Sequence, residues 1–187
     1  MTDDPYATLR AIVERFEQSG VPYMIVGSIA ALVHGRSRAT QDFDVVAELD
    51  ASRLRAFLGS LPAERFYVSE ESAFDALQRE TLFNVIDLET GWKVDVVPRK
   101  RRDFSRTEFG RRREHSLEGV RVIVASLEDT LIAKLEWSKL AGGSARQLED
   151  AAELLRLGAQ TLDRAYVERW VTELGLRDEW SRIQSGS

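Results

Sequence analysis

Leu9, Ile12, Val13 and Phe16 recur at i, i+3, i+4 and i+7, which predicts an amphipathic helix over residues 5–18 that Ser19-Gly20 ends. The next run, Pro22-Tyr23-Met24-Ile25-Val26, is almost wholly apolar, as a central strand buried on both faces requires. A short helix follows over residues 28–34, closed by Gly35, then a strand over Asp42–Glu48 and a helix over Ala51–Ser60. Residues 61–80 are mixed in character. Thr81–Leu88 and Trp92–Val97 read as two strands joined at Glu89-Thr90-Gly91, a hairpin. Val120–Val124 is one more strand, and from Ser126 the pattern is helical, broken near Gly142-Gly143 and Gly158. The pattern predicts an α/β (α+β) core over residues 1–125 and a helical C-terminal part over 126–187, with no internal repeat.

A chain of 187 residues with 43% hydrophobic and 30% charged positions fits an ordinary globular protein. It has no cysteine, so disulfides, thiolate catalysis and cysteine–zinc sites are excluded. That fits a reducing cytoplasm, the expected location. The apolar stretch Val21–Val33 is too short to span a bilayer, and the first ten residues are acidic where a signal peptide is basic. A net charge of -5 argues against indiscriminate coating of nucleic acid, though not against a local basic patch.

The first candidate chemistry lies in Asp42-Phe43-Asp44-Val45-Val46. Residues i and i+2 of a strand project from one face, so Asp42 and Asp44 point together while Phe43 and Val45 enter the core. Two ionised carboxylates this close repel and call for a cation, and hard oxygen ligands favour Mg²⁺ or Mn²⁺. Asp95 sits among valines in Lys93-Val94-Asp95-Val96-Val97, with Lys93 on its face. If that strand lies beside Asp42–Glu48, three carboxylates converge, the requirement of a two-metal phosphoryl-transfer site. The plain alternative is a solvated strand edge in an acid-rich region.

Upstream, Gly27-Ser28 joins a buried strand to a helix, where free N–H groups and the helix dipole make an anion site. Gly27 lets a phosphate approach the backbone and Ser28 adds a hydroxyl. Alone, such a pair is most simply an N-cap.

Val26-Gly27-Ser28, Asp42-Phe43-Asp44-Val45 and Val94-Asp95-Val96 together resemble the signature of the polymerase β-like nucleotidyltransferase superfamily. The resemblance implies a mixed β-sheet flanked by helices, with Gly27 and Ser28 holding the triphosphate of an NTP. It implies that Asp42 and Asp44 bind both metals, and that Asp95 binds the one activating an acceptor hydroxyl. Arg38-Ala39-Thr40-Gln41-Asp42 looks like the Arg-x-Thr-x-Asp lead-in of many bacterial members, with Arg38 either a phosphate contact or an exposed loop residue.

Ser126-Leu127-Glu128-Asp129 reads as a capping box. On the helix it opens, Lys134 falls in the stripe of Leu127, Leu131, Leu135 and Ser138, so it contacts triphosphate, pairs with an acid, or reaches out to solvent. Arg146 and Asp150 stand i, i+4, which a surface ion pair explains. Together with Lys93-Val94-Asp95-Val96, these positions resemble the later motifs of AbiEii-type nucleotidyltransferases, which belong to toxin–antitoxin and phage-defence systems. By that resemblance Lys93 and Lys134 handle phosphates and Asp150 supports the nucleotide site. The chain is shorter than many such proteins.

Arg99 to Arg113 carries Arg99, Lys100, Arg101, Arg102, Arg106, Arg111, Arg112 and Arg113, diluted by Asp103 and Glu108. This suits a landing place for RNA or another polyanion, and equally a solvated helix face or an acidic partner. His34 and His115 have no ligand spacing, and the four tryptophans read as core or interface residues.

The expected reaction is attack of an acceptor hydroxyl on the α-phosphate of an NTP. The basic segment and the AbiEii-like motifs favour tRNA or a protein as acceptor, with a cognate antitoxin or toxin as partner. The rivals are a small-molecule, antibiotic-type adenylyltransferase, an antitoxin-type minimal enzyme acting on its toxin, and a catalytically silent module that binds RNA or protein.

Overall fold

The computed structural model describes residues 5–36, 40 and 42–185. The chain runs α1 (Pro5–Gln18), β1 (Tyr23–Val26), α2 (Gly27–Val33), β2 (Asp42–Ala47), α3 (Ala51–Ser60), β3 (Phe66–Val68), α4 (Glu70–Arg79), β4 (Phe83–Asp87), β5 (Lys93–Pro98) and α5 (Asp103–Arg111). It continues through β6 (Arg113–Leu117), β7 (Val120–Val124), α6 (Leu127–Leu140), α7 (Ala145–Leu157), α8 (Arg164–Glu173) and α9 (Arg177–Ser185).

The strands form one mixed sheet in the order β3-β4-β5-β2-β1-β7-β6. β2 lies antiparallel to β1 and parallel to β5, so the two strands that carry the acids are neighbours. The hairpin expected at Glu89-Thr90-Gly91 joins β4 and β5 as an antiparallel pair.

One face of the sheet is dry. Phe43, Val45, Val94 and Val96 point into it and are at most 1% exposed, packed in one cluster with Leu9, Ile12 and Phe16 of α1 and Leu54 and Phe57 of α3. The alternate residues Met24, Val26, Asp44, Val46 and Asp95 share the other face, where Phe109 of α5 packs on Met24 and Ala125. A second apolar cluster gathers Leu131, Leu135, Leu154, Trp170 and Trp180 of the C-terminal helices, and takes in Ala31 of α2 and Phe104 of α5. The C-terminal helices thereby dock over the face that bears the acids. Of the core or interface roles expected of the tryptophans, Trp137 does not take the first: it is 56% exposed on α6.

Side-chain caps fix the helix starts. Asp50, Ser69, Ser126 and Asp163 each accept the backbone N–H three residues on, at the heads of α3, α4, α6 and α8. Among the described residues no helix is long and apolar enough to cross a membrane.

Candidate active site

The ladder sets the site. Asp44 stands opposite Asp95 in the β2–β5 register, Asp95 opposite Asn84 on β4, and Asp44 opposite Val26 at the end of β1. Asn84, Asp95, Asp44 and Val26 thus form one row across four strands. Asp42 and Lys93 form the next row.

Gly27 follows Val26 directly and has φ +64°, a conformation that L side chains rarely adopt. It turns the chain beside Asp44, and Ser28 is buried behind it in the first turn of α2. The glycine is therefore required by the close approach of a carboxylate as well as by the turn.

Lys93 Nζ lies 3.5 Å from Asp42 Oδ1 and 3.2 Å from Asp95 Oδ1. Asn84 Nδ2 donates to Asp95 Oδ1 at 2.6 Å. Burial, and then the charge of Asp95, push the Asp44 carboxyl up to about 6; Lys134 offsets part of this and Asp42 adds to it. Burial pulls the Lys93 ammonium down, but its hydrogen bond to Asp95 and the charges of Asp95 and Asp42 outweigh that and leave it above its ordinary value.

The acids come together in adjacent rows, yet their side chains do not meet at one point. Among the described residues no three carboxylates or imidazoles are gathered closely enough to hold a metal ion, and the Lys93 ammonium reaches both Asp42 and Asp95. The donor set still fits a hard divalent cation: three carboxylates with no competing sulfur or imidazole, one of them half-buried and under-compensated.

Lys134 is 5% exposed and donates to Asp150 Oδ2 at 3.0 Å, while Arg36 Nε lies 3.2 Å from Asp150 Oδ1. Of the three fates open to Lys134, the geometry selects an acid partner. It also corrects the surface pair expected of Asp150, which is 2% exposed: α7 turns Asp150 inward on the face of Ala151 and Leu154. Arg38 lies outside the described residues.

The basic segment is largely spent within the chain. Arg99 pairs with Glu48 at 2.9 Å, Arg101 with Glu80 at 3.6 Å, Arg102 with Glu136, Arg106 with Asp103, and Arg111 with Glu128 at 3.0 Å and Asp129 at 3.1 Å. Arg111 also stacks 3.9 Å above the Tyr166 ring, which ties α5 to α6 and α8. Among the described residues Lys100, Arg112 and Arg113 have no carboxylate partner within 4.0 Å. The histidines play packing roles, with His34 Nε2 2.8 Å from the Ala125 carbonyl and its ring edge-on to His115.

The sequence did not reveal Asn84 as a participant, nor the pairing of Arg36 with Asp150. Asn84 could be found only by counting the β4–β5 hairpin back from its turn, and Arg36 meets Asp150 across 114 positions.

This is the nucleotidyltransferase fold: a mixed sheet flanked by helices, shared with solved structures of that class. The chain is similar to an antigenic nucleotidyltransferase-like protein from Paracoccidioides brasiliensis, at 16% identity and a TM-score of 0.61 over 98% of this chain and 94% of that one. It is similar to ANT(2")-Ia in complex with adenylyl-2"-tobramycin, at 16% identity and a TM-score of 0.59 over 93% and 97%. It is also similar to the lincomycin-bound lincosamide antibiotic adenylyltransferase LnuA, at 13% identity and a TM-score of 0.55 over 84% and 98%. No family model and no curated protein matches the sequence.

Proposed function

We propose that this chain is a nucleotidyltransferase that moves a nucleoside monophosphate from an NTP to a hydroxyl acceptor and releases pyrophosphate. The observation that carries the reading is the row Asn84–Asp95–Asp44–Val26, closed by Gly27 at the end where a triphosphate would dock.

Asp42, Asp44 and Asp95 would hold Mg²⁺ or Mn²⁺, which when bound supplies charge stabilisation at the phosphate oxygens and acidifies the acceptor hydroxyl. Gly27 and Ser28 offer backbone and hydroxyl donors to the triphosphate. Lys134 lends positive charge next to Asp44 and is fixed by Asp150, which also holds Arg36. In this reading Asp150 acts through Lys134 and Arg36 and not on the phosphate itself. The acceptor oxygen attacks the α-phosphorus in line, one P–O bond forms, and the bond to pyrophosphate breaks. The hydroxyl proton passes to the Asp95 carboxylate, which Asn84 orients.

For the acceptor, the AbiEii-type motifs and Lys100, Arg112 and Arg113, which have no carboxylate partner within 4.0 Å among the described residues, support tRNA or protein, in a toxin–antitoxin setting. A second reading, a small-molecule acceptor, is supported by the five arginines of the basic segment that pair with the chain's own acids. Of the structures of similar fold, one is in complex with adenylyl-2"-tobramycin and another is described as a lincosamide antibiotic adenylyltransferase.

Incubation with each α-labelled NTP and Mn²⁺, in the presence of total tRNA, cell lysate, tobramycin or lincomycin, tests both. Label entering RNA or protein, with a flatter salt dependence in an Arg112→Ala, Arg113→Ala variant, selects the macromolecular acceptor. Label entering a small product selects the other. Failure to release pyrophosphate with any NTP and acceptor overturns the proposal.

A further inference from the structure

Lys93 opens β5 directly opposite Asp42, and its ammonium touches two of the three side chains offered as metal ligands. The contacts are 3.5 Å to Asp42 Oδ1, and 3.2 Å to each oxygen of Asp95. An ammonium and a divalent cation compete for the same carboxylate lone pairs. The lysine's backbone is pinned in the ladder, but its four-carbon stem is free to swing, and the side chain is 39% exposed.

We propose that Lys93 is a resident counter-ion: it holds the carboxylate seat in the metal-free protein and is displaced when a divalent metal binds. The inference rests on the nucleotidyltransferase reading and adds an order of events to it. Without the Lys93 ammonium, Asp42 and Asp95 would lose their ion-pair partner beside the half-buried Asp44, and like charges at this spacing repel. The lysine keeps the empty site folded and quiet. With the carboxylates neutralised by a bound divalent ion, the Lys93 ammonium would be released and available to a triphosphate.

The test compares wild type with Lys93→Met and Lys93→Arg, reading Mn²⁺ binding by the electron paramagnetic resonance signal of the free ion and metal-free stability by thermal melts. Methionine keeps the apolar stem and drops the charge. Lys93→Met should bind Mn²⁺ roughly tenfold tighter than wild type and melt lower in the absence of metal. Arginine keeps the charge and grips carboxylates with two prongs, so Lys93→Arg should bind Mn²⁺ more weakly than wild type. Should Lys93→Met not fold, Lys93→Gln makes the same comparison. Affinity in the uncharged variant equal to or below that of wild type overturns the inference. So does a rise in that variant with arginine equal to wild type, since charge at a distance then explains everything. Wild-type protein that takes up no Mn²⁺ and transfers no nucleotide sinks the reading of the whole site, an outcome distinct from either.

Discussion

A Cβ placed on Gly27 would lie 2.0 Å from Oδ2 of Asp44 and 2.7 Å from its Cγ. Val26 is the ladder partner of Asp44, so the residue after it has to turn directly against the carboxylate, and only a residue without a side chain leaves the carboxylate where it is.

Gly27→Ala therefore should displace Asp44 as well as strain the backbone. The strain alone is worth about 1–2 kcal/mol, a few degrees of melting temperature. Gly20 supplies the control: its φ is +66° and nothing lies within 4 Å of its would-be Cβ. Both alanine variants should lose stability, Gly27→Ala the more, while only Gly27→Ala loses Mn²⁺ binding and nucleotide transfer. Equal metal affinity in the two variants would show that the Gly27–Asp44 contact has no bearing on the site.

Lys134 and Asp150 form a buried pair whose side chains are 6% and 2% exposed. Lys134→Met takes one cation from a buried Asp150 that still has Arg36 at 3.2 Å, so the fold should lose about 3 kcal/mol, the low end of the range for breaking such a pair. Lys134→Met combined with Asp150→Leu should recover part of that loss, because the buried carboxylate goes with its cation, while Asp44 still lacks the charge of Lys134 and Arg36 loses its acid. Urea melts of the single and double variants check this. Additive losses would show that the two side chains do not depend on each other.

Glu108 of α5 is buried, and desolvation followed by the charge of Asp129 pushes its carboxyl up to about 8; Glu136 adds to this, while Arg102 and Ser105 oppose it. Between its ordinary value near 4.5 and about 8, the unfolded chain has released this proton while the folded chain keeps it. Stability from this group therefore falls as pH rises across that window, by a few kcal/mol on the order-of-magnitude scale of such shifts, and is level above it. Asp44, raised to about 6, adds a smaller decline at the acid end in metal-free protein. Glu108→Gln removes one titration, so its urea midpoint measured from pH 5 to 9 should decline less than that of wild type. Parallel profiles would place the Glu108 proton elsewhere.

The central strands were legible because burial imposes a pattern on them. β1 is apolar on both faces, and β2 and β5 alternate around their acids. β6 was not, since Arg113-Glu114-His115-Ser116-Leu117 ends the sheet and needs little apolar surface; it takes its strand form from pairing with β7. Its one hint was Glu118-Gly119, a two-residue turn with positive φ at both positions. α4 hides among residues 61–80 because it packs through Ala73 and Ala76, too small to stand out, although Ser69 and the acids after it mark its start. On the site, the pairing of acids along one strand follows from local spacing. The Lys134–Asp150–Arg36 cluster does not, because three elements far apart in sequence supply it. For Asp150 a signal existed: it shares a helical face with Leu154, and that face is buried.

The row from Asn84 to Val26 gives the site the mechanical character of the sheet that bears it. Neighbouring strands stand about 4.8 Å apart whatever is bound, so the spacing between Asp44 and Asp95 is set by the peptide ladder. Such a site has no soft mode of its own. Its amides should be among the last in the chain to exchange with solvent, and heat should not silence the acids before the whole molecule opens. Adjustment to one acceptor over another then falls to the parts of the chain laid over that face, α5 and α6, and not to the strands beneath them.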